Sequence, residues 1–318
     1  MSIFKAYDIR GIVGQGLDAD VAYGVGWAAA RFLEADCIAV GRDARPHSPD
    51  LCEALIEGLC DEGSDVVDLG LIATPMLYFA VEELGTSGGA MVTASHNPGQ
   101  YNGFKLCREH AIPIGQDTGL REIEALVASR RAASPVSPRG EVRVEAVLDA
   151  YLDHVLGVAA GRPALEVAID CGNGMAGRAL EPLLERLPLE TERLYFEPDG
   201  TFPNHEADPL KLENLQDLVA AVRRVGADFG VAFDGDADRA VFVDEKGVPI
   251  SSDLVTALLA RYQLRRLPGG RVLYDLRSSR AVAEEIEAAG GTPEMCRVGH
   301  SFVKAQMRES GAVFAGEL

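Results

Sequence analysis

Short apolar runs that end in polar, glycine-containing turns alternate along the chain with stretches whose apolar residues recur every three or four positions. The first pattern fits buried strands, the second amphipathic helices. Phe4 to Arg10 reads as a short strand leading into a glycine turn at Gly11 and Gly14. Asp18 or Asp20 can cap a helix that carries Val21, Val25, Ala28 and Phe32 on one face. Cys37 to Val40 reads as a strand ending in Gly41-Arg42-Asp43-Ala44-Arg45. A helix follows, capped by Ser48, with Pro49 at its first position and Leu51, Leu55 and Leu59 facing inward. Val66 to Leu69, Pro75 to Leu84 and Ala90 to Thr93 continue as strand, helix and strand. This alternation predicts an α/β fold, a mixed and mostly parallel sheet covered by helices. Active loops in such sheets lie at the carboxyl ends of strands.

Ala132 to Gly140 has small residues broken by two prolines, the composition of a linker, and closes a first domain over residues 1–138. A helix around Val147 to Val155 precedes a strand, Leu165 to Ile169, that runs into Asp170-Cys171-Gly172-Asn173-Gly174 and a helix near Met175. Two readings of that turn stay open: a backbone cradle for phosphate, or the tight strand-to-helix turn that glycine permits. Leu212, Leu215, Val219 and Val222 mark another helix, closed by Gly226. The second domain is expected over 139–248 and a third over 249–318, beginning near Pro249. In the third, Arg271 to Tyr274 forms a strand ending in Asp275-Leu276-Arg277-Ser278-Ser279, before a helix carrying Val282 and Ile286. Ile38 to Arg42, Val167 to Cys171 and Val272 to Leu276 share one layout of apolar strand, polar loop and helix, a sign that the domains are related copies. Gly24 to Ala29 loosely matches a dinucleotide fingerprint, but it lies within a helical pattern instead of following a strand.

A length of 318 residues suits two or three domains, and a hydrophobic content of 47% is ample for their cores. The formal charge of −19 argues against nucleic-acid binding, because phosphates would be repelled. A small anionic substrate remains compatible, since Arg10, Lys105, Arg239 and Arg277 can oppose the global field locally. Six cysteines without Cys-x-x-Cys spacing read as buried thiols in a reducing compartment. No apolar stretch approaches the ~20 residues that a membrane helix needs, so a soluble, cytoplasmic protein with no membrane partner is expected.

Two segments carry chemistry. Met91-Val92-Thr93-Ala94-Ser95-His96-Asn97-Pro98-Gly99 is an apolar run that stops at a serine, and proline prevents any regular element from continuing it. Ser95 is thereby presented on a tight loop beside the His96 imidazole, with Lys105 a few residues on, as a candidate to carry a transferred group. An ordinary turn would use the same residue types. The second segment, Asp234-Gly235-Asp236-Ala237-Asp238-Arg239, sets three carboxylates at alternate positions between two apolar runs. Extended, such side chains sit about 6.6 Å apart, whereas oxygens sharing one Mg²⁺ lie within about 4.2 Å of one another. The segment must curl, and Gly235 and Ala237 are small enough to let it. Crowded carboxylates repel and raise one another's pKa values, a conflict that a divalent cation resolves. A calcium loop fits poorly, because its sixth position would be Arg239 instead of glycine and a strand pattern follows. A phosphatase with an aspartate nucleophile would leave Ser95 unexplained.

Together these residues resemble the phosphohexomutases, the phosphomannomutase and phosphoglucomutase group. Lys5-Ala6-Tyr7-Asp8-Ile9-Arg10-Gly11, the Gly299-His300-Ser301 turn and the final Gly316-Glu317 fit the same family in the same order. The resemblance implies three similar α/β domains around a central active-site cleft, followed in relatives by a smaller fourth domain that is absent here, since this chain stops at Leu318 within the third. It also implies interconversion of hexose 6-phosphate and hexose 1-phosphate, of mannose or glucose, through a phosphoserine and a bisphosphorylated sugar. Ser95, His96, Lys105 and Arg239 would be catalytic. Asp234, Asp236, Asp238 and the phosphorylated Ser95 would hold Mg²⁺. Tyr7, Arg10, Arg277, Gly299, His300 and Glu317 would bind the phosphosugar, with hexose 1,6-bisphosphate as activator. The partners implied are small phosphosugars, with a monomer or homodimer as the assembly. Ala237 in the acidic segment and Thr93 before Ser95 favour this branch over the phosphoglucosamine mutases, and a fragment that binds phosphosugar or Mg²⁺ without turnover is the alternative from another class.

Overall fold

The computed structural model describes residues 2–130, 135–158 and 163–318, and the chain divides into two compact units, Met1–Gly247 and Val248–Leu318. The first unit holds two sheets. One is built from β1 (Ile9–Ile12), β2 (Cys37–Arg42), β3 (Asp65–Leu71), β4 (Gly88–Val92), β5 (Tyr101–Arg108) and β6 (Val142–Val144), in the order β1-β5-β4-β2-β3-β6. Neighbours β4, β2, β3 and β6 run parallel, whereas β5 is antiparallel to both β4 and β1. The expected mixed, mostly parallel sheet is thus present. Helices α1 (Ala19–Leu33), α2 (Ser48–Asp61) and α4 (Leu120–Ser129) bury Val25, Leu55, Leu59 and Ile123 on one face, and α3 (Thr74–Glu83) buries Leu77 and Val81 on the other.

Local chemistry explains the elements and two departures from expectation. Of the two candidate caps, Asp18 caps α1, its carboxylate accepting from the Val21 amide, while Asp20 lies in the first turn. The Gly24–Ala29 run lies inside α1, and a Cβ on Gly26 would stand 2.1 Å from the Leu55 carbonyl of α2, so this glycine serves helix contact. Ser48, expected as a cap, instead opens α2 and donates its hydroxyl to Asp43 at 2.5 Å; the capping position is His47. Gly11, expected in a turn, lies within β1 opposite Asn102 of β5, and a Cβ there would sit 2.9 Å from the Ile3 side chain, so the strand is closely covered at this glycine.

The expected linker falls partly on residues 131–134, outside the described residues. Its described part is tied down, with the Val136 and Gly140 amides donating to Asp61 and Cys60, and the first sheet then gains β6. After α5 (Leu148–Val158), the second sheet runs β10-β9-β7-β8, from β7 (Leu165–Asp170), β8 (Leu189–Leu194), β9 (Phe229–Phe233) and β10 (Ala240–Asp244). Here α6 (Ala176–Leu184) covers one face through Ala176 and Leu184, and α7 (Gln216–Val225) covers the other through Leu218 and Val222. Gly226 ends α7 at φ 78°, the left-handed stop that glycine adopts without a steric penalty.

The second unit begins with a two-residue strand, β11 (Pro249–Ile250), and α8 (Ser252–Arg266). Its sheet has the order β13-β12-β14, all parallel, from β12 (Arg271–Asp275), β13 (Thr292–Cys296) and β14 (Phe314–Gly316). The helices α9 (Arg280–Ala288) and α10 (His300–Ser310) complete it, with Val282 and Ile286 packed against Val272, as the apolar spacing predicts. None of the six cysteines forms a disulfide, and five of them are buried. No helix among the described residues is long and apolar enough to cross a membrane.

Candidate active site

The fully buried β4 delivers Ser95 two residues past Thr93, at the carboxyl end of the strand. Ser95 has φ 52°, in the left-handed region that a residue with a Cβ seldom occupies. Its backbone amide donates to the Thr93 hydroxyl oxygen at 2.9 Å, and its Oγ donates to Asp234 Oδ2 at 2.8 Å while lying 3.2 Å from His96 Nδ1. Asp234 follows β9 directly and begins the hairpin that returns as β10. The hairpin curls as its crowded carboxylates require. Ala237 turns to φ 62°, and Asp234 Oδ1 collects the Asp238 and Arg239 amides at 3.0 and 3.1 Å. Gly235 is where the serine loop and this hairpin meet: a Cβ there would stand 2.4 Å from the Ser95 carbonyl oxygen.

Lys105 reaches the same place from β5, its ammonium 2.5 Å from Asp236 Oδ2 and 2.6 Å from Asp238 Oδ2. Thr74, the first residue of α3, donates its hydroxyl to Asp236 Oδ2 at 2.6 Å and its amide to the Asp236 carbonyl. Arg239 is largely exposed, 4.0 Å from Asp238. Three carboxylates therefore face one buried cation. For Asp234, burial and then the charges of Asp236 and Asp238 push its pKa well up. Burial would raise Asp236 as well, but Lys105 and Thr74 outweigh it and hold the carboxyl below its usual range. In Lys105 burial opposes the charge, and the two aspartates overcome it, so its pKa rises and it stays an ammonium.

A divalent cation fits these residues. Oxygens of Asp234, Asp236 and Asp238 lie within 4.8 Å of one another, and Asp236 Oδ1 is buried without a hydrogen-bond partner among the described residues. A hard, oxygen-seeking ion such as Mg²⁺ would satisfy that orphan acceptor and the excess negative charge together.

Arg10 lies on β1 and donates to Asn97 Oδ1 at 2.6 Å and to Asp8, so it joins the serine loop; Tyr7 sits half-buried just before it. His96 is half-buried, and burial, followed by the positive charges of Arg239 and Arg10, pulls its pKa down to about 4. The imidazole is neutral at pH 7.

The remaining predicted residues gather on the second unit. Arg277 follows β12 and donates to Asp275 Oδ2 at 2.6 Å and to the Leu318 carbonyl, with Glu317 3.8 Å away. Glu317 Oε1 accepts the Gly299 amide at 2.8 Å, and His300 opens α10 directly after Gly299. Asp275 organises this group. It is buried and also accepts the Arg277 and Leu318 amides at 2.8 and 2.9 Å.

Sequence reasoning passed over Thr74, Asp275 and Arg45. Arg45 and Asp275 each stand in a polar run at a strand's carboxyl end, which is the signal that could have found them. Thr74 had only its neighbour Pro75, which marks a helix start. In the Asp170–Gly174 turn Gly172 takes φ 51°, as a tight strand-to-helix turn permits, and the Met175 amide donates to the Gly235 carbonyl at 2.9 Å, so the turn also braces the acidic hairpin.

The sequence matches, in order, the domain patterns described as phosphoglucomutase/phosphomannomutase alpha/beta/alpha domain I over residues 1–134, domain II over 149–247 and domain III over 251–318. It is 42% identical to a phosphomannomutase of Escherichia coli, over all of this chain and 72% of that protein. Identity to a phosphomannomutase/phosphoglucomutase of Pseudomonas putida is 41%, over all of this chain and 68% of the relative. Among solved structures, a phosphoglucomutase/phosphomannomutase family protein from Burkholderia thailandensis superposes with a TM-score of 0.93 at 38% identity, covering 99% of this chain and 70% of that one. With the serine loop and acidic hairpin in place and all three domain patterns matched in register, the chain belongs to the phosphoglucomutase/phosphomannomutase family.

Proposed function

We propose that this protein is a hexose phosphate mutase that interconverts the 6- and 1-phosphates of mannose and glucose, with Ser95 as the phosphoryl carrier. The observation that carries the reading is the Ser95 hydroxyl held 2.8 Å from Asp234 inside a cluster of three aspartates. In the reaction a phosphorylated Ser95 gives its phosphoryl group to a sugar hydroxyl. The bond from phosphorus to Oγ breaks, a bond to the sugar oxygen forms, and the hydroxyl proton leaves. The bisphosphorylated sugar then returns its other phosphate to Oγ.

Each residue has a task in this scheme. Neutral His96, 3.2 Å from Oγ, can take the proton. Lys105, whose charge Asp236 and Asp238 favour against burial, can offset negative charge beside the transferred group or assist proton transfer. Arg239 is exposed enough to reach a phosphate oxygen. Asp234, Asp236, Asp238 and a phosphoserine oxygen would hold Mg²⁺, which when bound supplies charge neutralisation of a group carrying about −1.5 to −2. Tyr7 and Arg10 would contact the phosphosugar, as would Arg277, Gly299, His300 and Glu317, where Glu317 suits sugar hydroxyls. We assign the serine loop to a domain over 1–138, the acidic hairpin to one over 139–248 and the sugar-reading group to 249–318. Hexose 1,6-bisphosphate as activator and a cytoplasmic setting complete the proposal.

The test is turnover of glucose 1-phosphate and mannose 1-phosphate, with Mg²⁺ and a trace of glucose 1,6-bisphosphate, followed by ³¹P NMR. Ser95→Ala is expected to lower kcat by at least about 10³-fold, because the covalent carrier is gone. A variant that keeps a tenth of the parental rate overturns the mechanism.

A further inference from the structure

We propose that Arg45 is a positioning residue for phosphoryl transfer: its buried guanidinium gathers the carbonyls of the serine loop and so fixes the direction of Ser95 Oγ. The proposal rests on the reading of Ser95 as phosphoryl carrier.

A guanidinium has five N–H donors in a rigid plane, and here every one is used. Nε donates to Asp43 Oδ2 at 3.0 Å. One terminal nitrogen donates to the carbonyls of Pro98 at 2.8 Å and Tyr101 at 3.0 Å, the other to those of Ser95 at 2.8 Å and Asn97 at 2.6 Å. Four carbonyls from a seven-residue stretch, Ser95 to Tyr101, thus converge on one group. Loop carbonyls ordinarily turn to water. Drawing these inward fits the left-handed backbone at Ser95, φ 52°. Arg45 makes no contact with the reacting oxygen itself, so its effect passes through the backbone.

The cation is anchored on every side. Arg45 is only 1% exposed, and a charge at that depth requires a partner. Asp43 supplies it and in turn accepts the Ser48 hydroxyl, which itself accepts from Asn102 Nδ2 at 2.9 Å, one residue past the loop. The Phe202 ring covers the guanidinium with its centroid 5.0 Å away. Gly200 lets that turn close down, since a Cβ there would lie 2.2 Å from the Arg45 Cα. Lysine, with three donors at a single point, cannot hold four diverging carbonyls.

Arg45→Lys in the full chain tests the idea through three readouts. These are amide exchange across residues 93–101, the rate at which glucose 1,6-bisphosphate phosphorylates Ser95 by intact mass, and the split between kcat and KM. The expected result is exchange in 93–101 at least about tenfold faster, with phosphorylation and kcat slower by about 10- to 100-fold and KM for glucose 1-phosphate within about threefold. A merely structural arginine would lower thermal stability yet leave kcat of the folded fraction and protection of 93–101 unchanged, and that result overturns the proposal. Should Arg45→Lys fail to fold, Asp43→Asn keeps the guanidinium while removing its counter-charge. It is expected to loosen the same peptide and slow phosphorylation about 3- to 10-fold, and parental values for both overturn the proposal. The exchange readout requires no turnover. An inactive parent whose 93–101 peptide loosens in Arg45→Lys overturns the mutase reading and leaves Arg45 only as the residue that orders this loop, whereas an active parent indifferent to Arg45→Lys overturns the positioning role alone.

Discussion

Ser95 and Arg277 each follow a sheet strand at its carboxyl end, yet their surroundings are opposite. Ser95 is 1% exposed, and the groups around it come from β1, the start of α3, β5 and the β9–β10 hairpin, elements far apart in sequence. Arg277 has 45% of its side chain exposed and leans on Asp275, two residues away. Where bonds would be made and broken, the fold provides a dry, cross-braced setting in which each charge is strong and each misplacement costly. Where a sugar would be read, it provides solvated side chains on a short scaffold. Electrostatic pre-organisation needs the first environment, and a ligand that must enter and leave is served by the second.

The sharpest way to break this contrast is to change one charge in the buried cluster. Asp236→Asn removes the carboxylate that binds Lys105 and Thr74 and owns the orphan oxygen. It is expected to lower kcat by about 10³-fold and weaken Mg²⁺ binding by at least about tenfold in calorimetry. Parental Mg²⁺ affinity in the variant would remove this cluster as the metal site. On the exposed side, Arg277→Ala is expected to raise KM for the phosphosugar about tenfold while kcat moves less than about threefold, the signature of a contact made equally in ground and transition states. A loss confined to kcat would mean that Arg277 belongs with the transfer chemistry, and the contrast between the two regions would fail.

The same division decides what could be read from the sequence. Elements governed by periodicity were legible: α1 with its acidic cap at Asp18 or Asp20, the all-buried β4 and the β9–β10 pair around the aspartates. So was the acidic cluster, because crowded carboxylates announce a conflict that only a cation or a proton resolves. Residues whose partners are distant backbone atoms were not. Arg45 answers to carbonyls about fifty positions away, which leave no trace in side-chain pattern. Ser48 looked like a cap because Pro49 follows it, but Asp43 competes for its hydroxyl. Strand β6 is exposed at all three positions and has no alternation to read; it exists because β3 offers it backbone partners.

His205 lies between the two extremes, with 14% of its side chain exposed, and sharpens the comparison by a smaller effect. Its Nε2 meets the fully buried Asp170 at 3.0 Å and its Nδ1 meets the Glu206 carbonyl at 2.9 Å. The Ala207 carbonyl, two residues on, accepts the Gly235 amide of the acidic hairpin. The hydrogen bond to Asp170 raises the His205 pKa against the opposing effect of burial. A raised value means that the folded state holds this proton more tightly than the unfolded chain. The resulting stability is fully present below about 6.5, the unfolded value, and is lost as pH rises through the folded one. A charge-assisted hydrogen bond at such a site contributes about 1 kcal/mol, or about 2–4 °C in the melting temperature of the first unit. Melting at pH 5.5 and pH 8.5 should therefore show His205→Gln less stable than the parent at the lower pH, with the difference shrinking at the higher. A difference that stays constant with pH would mean that His205 has the same pKa in the folded and the unfolded chain, and that packing, not charge, holds this side of the acidic hairpin.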